Sequence, residues 1–120
     1  MKTWAVVGLG NNPGRAAFGV AKLLQDKGHR IIPVYPRAET VHGEVGYKTL
    51  SEIPGPVDVV DCFVNSTLVG KVVDEAIAIG AKAVWLQLDV IDNDAIARAQ
   101  AAGLVTVMDR CPAIEYRKKS

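Results

Sequence analysis

Short, almost continuous apolar runs alternate along the chain with stretches in which apolar residues return every three or four positions. The first run predicts a buried strand over Thr3 to Gly8. From Ala16 the positions Ala16, Val20, Leu23 and Leu24 fall on one helical face, and Gly28 supplies the stop. "RIIPVYP" is a second strand. Its Pro33 has no amide proton to give, which predicts a short or incomplete neighbour on one side. The segment "AETVHGEVGYKTLSEIPGP" fits that role, with at most a brief edge strand near Glu44 to Tyr47. After it comes a helical turn whose Thr49 and Glu52 have capping-box spacing, ended by Pro54. "VDVVDCFV" is a third long strand, followed from about Ser66 by a helix that presents Val69, Val72, Val73 and Ala76 on one face and stops at Gly80. "AKAVWLQL" is another strand. Asp92 or Asp94 can cap an alanine-rich helix ending at Gly103, and "LVTVMD" is the last strand before a polar tail, "YRKKS".

This β-α-β alternation, with strands apolar on both faces, predicts an α/β fold: a single doubly wound parallel sheet, Rossmann-like, with order 3-2-1-4-5-6 preferred and one short edge strand. A flavodoxin-like order is the alternative. No linker or repeat interrupts the 120 residues, so residues 1–120 are read as one domain, with no room for a separate catalytic one. Charged residues make up 22% and the net charge is +1, which gives no general attraction to nucleic acid or membrane. Any anion site is therefore local. The start, "MKTWAVVGLG", carries neither a signal-peptide pattern nor a membrane span, and a cytoplasmic location with Cys62 and Cys111 as free thiols is expected.

In an open parallel sheet, ligands bind beyond the carboxyl ends of the strands where the order reverses. The first loop on that edge, "GLGNNPGR", has glycines at 8, 10 and 14. Gly8 permits a tight turn, Gly10 permits close approach of a phosphate, and the amides opening the next helix favour an anion. The spacing departs from the dinucleotide fingerprint, since Pro13 stands where its third glycine belongs. Asn11 and Asn12 add side-chain donors, and Arg15 adds a charge-assisted contact. After the second strand, where an acid would accept from a ribose diol, the chain has Pro36 and Arg37. Arginine there suits a ribose that itself carries a phosphate. Glu39 lies close enough in sequence to neutralise it. NADP, phosphorylated at the 2′ position, and coenzyme A, phosphorylated at the 3′ position, both fit.

Beyond these motifs, the run from "VVGLGNNPGRAAFGVAKLL" through "IIPVYPR", "GEVGYKTLSEIPGPVDVVDCF", "VDEAIAIGAKAVWLQLDV" and "AAGLVTVMDRCP" resembles the small stand-alone CoA-binding proteins, similar to the nucleotide-binding domain of the succinyl-CoA synthetase alpha subunit. The resemblance spans nearly the whole chain. It implies a Rossmann-type domain with CoA across the strand ends. Gly8, Gly10, Asn11, Asn12, Pro13 and Arg15 would hold its pyrophosphate, Arg37 its ribose phosphate, and Val64, Asn65 and Thr67 would border the adenine or pantetheine. Leu9 and Gly10 stand where stand-alone relatives often have serine and asparagine, so no hydroxyl contact is expected in this loop.

A dehydrogenase also needs a second-substrate site and a group to move its proton. Neither histidine fits that need: His29 lies at the opposite sheet edge and His42 reads as a solvated loop residue. Cys62, inside a strand, reads as a core residue. Cys111 in "MDRCP" follows the last strand beside Arg110 and ahead of Pro112, a setting that lowers a thiol pKa and makes a mixed disulfide with CoA conceivable. Of the acids, Asp74 and Glu75 are placed on the outer side of their helix, Asp61 needs a partner if buried, and Asp89 and Asp109 lie at the ligand edge. The reading is a non-catalytic module for CoA or an acyl-CoA. An NADP-binding module and a Cys111-dependent thiol or redox enzyme are the alternatives. The expected ligand is a small molecule, without nucleic acid, metal or membrane, while a protein partner or homo-oligomer remains open.

Overall fold

The computed structural model of the chain describes residues 2–112; the polar tail lies outside them. Among these residues five strands, β1 (Thr3–Val7), β2 (Arg30–Val34), β3 (Val59–Cys62), β4 (Ala83–Leu86) and β5 (Val105–Val107), form one sheet in the order β2-β1-β3-β4-β5. Every pairing is parallel. The connections carry the helices α1 (Ala16–Asp26), α2 (Ser66–Ala78) and α3 (Asn93–Ala101), with a 3-10 turn at Leu50–Glu52.

The expected edge strand shrinks to one residue pair, a parallel bridge between Val34 and Tyr47. Counted as a rudimentary third strand it yields the order 3-2-1-4-5-6; left out, the remaining strands run 2-1-3-4-5. Pro33 explains why the edge stays short. The Pro33 carbonyl accepts from the Tyr47 amide at 2.9 Å, so this residue turns its missing donor outward, away from β1.

Period-two alternation divides the core between the two sheet faces. Trp4, Val6 and Val59 pack with Ala17, Val20, Ala21 and Leu24 of α1. Ala5, Val60, Val84 and Leu86 pack with Val69, Val73 and Ala76 of α2 and Ala95 and Ala99 of α3. Helices on both faces make the sheet doubly wound, and Leu24, wholly buried, contributes roughly 1.5–3 kcal/mol through burial.

Several local expectations resolve into specific contacts. Asp92, not Asp94, caps α3 by accepting from the Ala95 amide at 3.0 Å. The Thr49 side chain caps nothing, and Glu52 accepts at 2.9 Å from the amide of Lys48, the residue before the cap, rather than from that of Thr49, so the expected box does not form. Glu75 does not lie on a solvated face: its carboxylate accepts from the Leu50 amide at 2.8 Å and the Ser51 hydroxyl at 3.3 Å, fixing the 3-10 turn against α2. His42 is likewise not a solvated loop residue. It is half-buried, its Nε2 lies 2.9 Å from the Phe18 carbonyl and its ring centroid 4.3 Å from that of Phe18. His29 sits at the opposite edge, as expected, accepting from the Lys2 amide at 3.2 Å. Among the described residues no helix is long and apolar enough to cross a membrane.

Candidate functional site

Two adjoining depressions open at the carboxyl edge of the sheet. The first loop shapes both. Gly8 has φ 99° and donates its amide to the Val34 carbonyl at 2.7 Å. A Cβ there would collide with the Phe63 carbonyl, so β1 leaves the sheet only through a residue without a side chain. Asn12 stabilises the loop from within, accepting from the Gly14 amide at 2.9 Å through its side chain and from the Arg15 amide at 3.0 Å through its carbonyl. Arg15 is the residue before α1 and caps nothing with its side chain, which leaves the guanidinium on the surface.

The smaller depression, about 240 Å³, is lined by Gly8, Gly10, Asn11, Asn12, Arg15, Tyr35, Arg37 and Glu39. It unites residues of the β1–α1 loop with residues that follow β2, and both arginines border it. Asn11 ties the two segments together: its side-chain amide donates to the Thr40 carbonyl at 2.6 Å, and its main-chain amide donates to Glu39 Oε1 at 3.3 Å. Glu39 therefore turns to the first loop rather than to Arg37. It approaches so closely that a Cβ on Gly10 would lie 2.8 Å from its Oε1.

The larger cleft, about 700 Å³, shares Gly8, Arg15 and Tyr35 with the first and runs past the ends of β1, β2, β3 and β4. Val7, Val34, Leu50, Phe63, Leu68 and Val72 give it mainly apolar walls, to which Pro36, Val64 and Asn65 also belong. Lys48 and Lys71 place two cations at its border and Gln87 closes its β4 side.

Of the residues assigned from sequence, Gly8, Gly10, Asn11, Asn12, Arg15 and Arg37 meet in the small depression, and Pro36, Val64 and Asn65 line the cleft. Pro13, Thr67 and Cys111 line neither. Pro13 and Thr67 are exposed, whereas Cys111 is half-buried and packs against the apolar layer on the α1 side. Asp89 and Asp109 join two loops: the Asp89 amide, from a residue at φ 67°, donates to Asp109 Oδ1 at 2.7 Å. The structure adds Lys48, Lys71 and Glu39, which sequence alone does not assign to a site, and it puts Gln87, which follows β4 on the expected ligand edge, in the cleft wall. One signal does point to Lys71: Leu68 is apolar yet 52% exposed, beside rather than within the buried stripe of α2, and Lys71, Val72 and Glu75 continue its line along the cleft.

One polar pair is sealed into the wall behind the cleft. Asp61, in the middle of the central strand β3, is wholly buried, and its Oδ1 accepts from Gln87 Nε2. Burial pushes the Asp61 carboxyl up to about 7, against a smaller lowering by the Gln87 hydrogen bond. The neighbouring Cys62 thiol is also raised, first by its own burial and then by the Asp61 charge, which makes it an unreactive core residue.

The profile of the family described as "CoA binding domain" matches residues 2–117. The protein YneT of Bacillus subtilis (strain 168) is 34% identical over 110 residues, covering 92% of this chain and 82% of that protein. The alpha subunit of an ADP-forming acetate–CoA ligase II from Pyrococcus furiosus is 36% identical over 81 residues, 67% of this chain but 18% of that subunit's length. Among solved structures, a hypothetical protein from Pyrococcus horikoshii OT3 superposes with a TM-score of 0.93 at 38% identity, over 98% of this chain and 82% of its own.

Proposed function

This chain belongs to the CoA-binding domain family, and from that premise we propose that it binds coenzyme A or an acyl-CoA across the carboxyl edge of its sheet, without catalysis of its own. The observation that carries the reading is the convergence of Arg15 and Arg37, from two separate loops, on a depression floored by Gly8 and Gly10. CoA presents two groups of anions, a pyrophosphate and a ribose 3′-phosphate, and two guanidinium groups bordering one depression suit that pair.

The first-loop residues Gly8, Gly10, Asn11, Asn12 and Arg15 hold the pyrophosphate in this proposal. Arg37, presented by the turn at Pro36, takes the ribose phosphate. The larger cleft has the volume of a small-molecule site and the apolar walls that suit a pantetheine arm, with Val64 and Asn65 along its path. Cys111 lines neither depression, so neither a mixed disulfide nor a cysteine nucleophile forms part of this proposal.

Thermal shift with CoA, acetyl-CoA, dephospho-CoA, NADP and NAD tests the assignment. The expected result is stabilisation by the first two, a much smaller response to dephospho-CoA and none to NAD. Stabilisation by NADP alone would replace CoA with a 2′-phosphorylated dinucleotide.

A further inference from the structure

Gln87 stands out in the wall of the larger cleft as a nearly sealed polar side chain, 4% exposed, whose amide is committed on one side only. Its Nε2 donates to Asp61, a carboxyl that is itself wholly buried. Among the described residues the sealed side-chain polar atoms without a partner are Trp4 Nε1 and Asp61 Oδ2. Gln87 Oε1 is not one of them and accepts from no described group, so it opens onto the cleft that Gln87 lines. The nitrogen end of the Gln87 amide faces Asp61 and donates to its Oδ1. The opposite end, a carbonyl oxygen, is then presented to the cleft with its rotamer already set.

We infer that Gln87 is the acceptor for an amide N–H of the ligand's pantetheine arm, and that Asp61 is a positioning residue that holds the Gln87 carbonyl toward it. The inference rests on the CoA reading. The strand order supplies the placement: Arg37 follows β2, the glycine loop follows β1, and Gln87 follows β4 on the far side of β3. A ligand with its ribose phosphate at Arg37 and its pyrophosphate on the glycine loop reaches Gln87 with the next part of its chain. In CoA that part is an arm carrying two secondary amides. The surrounding walls are apolar, so an unanswered N–H there is costly and an answered one selects for the arm.

The test measures CoA and adenosine 3′,5′-bisphosphate affinities on the full chain by calorimetry. Adenosine 3′,5′-bisphosphate carries the adenine and both phosphate-bearing ribose positions but no arm. Gln87→Leu is expected to weaken CoA about tenfold and leave the bisphosphate unchanged. Asp61→Asn with Gln87→Glu transposes the pair while keeping its net charge: the introduced asparagine donates, and one oxygen of the new carboxylate still faces the cleft. That double variant should recover CoA affinity to within about threefold of the wild type. If Gln87→Leu binds CoA as the wild type does, or loses both ligands equally, the inference is overturned. Recovery no better than Gln87→Leu overturns the role of Asp61. Should a variant fail to fold, the Gln87 side-chain amide resonances of the wild type decide instead: they should shift on CoA addition and stay put with the bisphosphate, and the absence of a CoA shift overturns the proposal. A wild-type chain with no CoA response at all refutes the ligand reading itself, a distinct result.

Discussion

Replacing Asp61 by asparagine should make the protein's stability less sensitive to rising pH. The carboxyl is wholly buried in the middle of the sheet, with one oxygen held by Gln87 and the other unpartnered. Its folded value, about 7, lies above its ordinary 3.8 because burial disfavours the charge. At pH below 3.8 both states hold the proton and no stability is lost through this group. Between 3.8 and about 7 the unfolded chain releases the proton while the native state keeps it, so stability falls as pH rises. Above that range the loss levels off near the full difference between the two values, about 4 kcal/mol. Between pH 5 and pH 8 the linkage relation gives a loss of about 2–3 kcal/mol. An asparagine side chain at this position cannot ionise, so that component vanishes; its buried amide adds a penalty of about 1–3 kcal/mol that does not depend on pH. The assay is urea denaturation of both proteins at pH 5, 6, 7 and 8. The wild-type curve should fall relative to the variant's by about 2–3 kcal/mol across the series. Parallel curves would show that Asp61 titrates in the native state as it does in the unfolded chain, and the reasoning would be wrong.

Three further outcomes follow from the same geometry. Arg37→Ala should weaken CoA about tenfold and dephospho-CoA hardly at all, and equal losses by calorimetry would remove Arg37 from the ribose phosphate. Gly8→Ala should destabilise the fold by about 2 kcal/mol or more, because the new methyl meets the Phe63 carbonyl in a left-handed backbone; an unchanged melting temperature would contradict that clash. In the native protein a thiol reagent should modify Cys111 at once and Cys62 only as the chain unfolds, since Cys62 is sealed and its pKa raised; peptide mass mapping in which Cys62 reacts first would refute this.

The fold is legible where local signals agree. Apolar runs mark the strands, and Gly28, Gly80 and Gly103 end the helices, all three at positive φ. Pro33 even announces the incomplete edge, because a missing donor is visible in any sequence. The first loop is readable for the same reason: its glycines and asparagines act within a few residues of themselves. What stays hidden depends on distant partners. Gln87 falls on the expected ligand edge, but that its side chain is held by Asp61, 26 positions away, is not visible in the sequence. Glu39 has the spacing of a neutraliser of Arg37, but its carboxylate crosses to Asn11, 28 positions back. Glu75 and His42 read as solvated because nothing nearby in sequence bonds them, whereas their partners are Leu50 and Phe18. Propensity does not encode which loops the sheet brings side by side.

The outward-facing proline on β2 also bears on how the molecule behaves in a crowd. An open sheet border ordinarily offers a ladder of donors and acceptors onto which a foreign strand can stack. Here one rung is missing at Pro33 and the flanking rungs are already taken by Tyr47, whose amide and carbonyl serve Pro33 and Tyr35 at 2.9 Å each. Along that stretch of the β2 border an incoming strand finds one donor missing and its neighbours occupied, which makes it a poorer template for polymerisation.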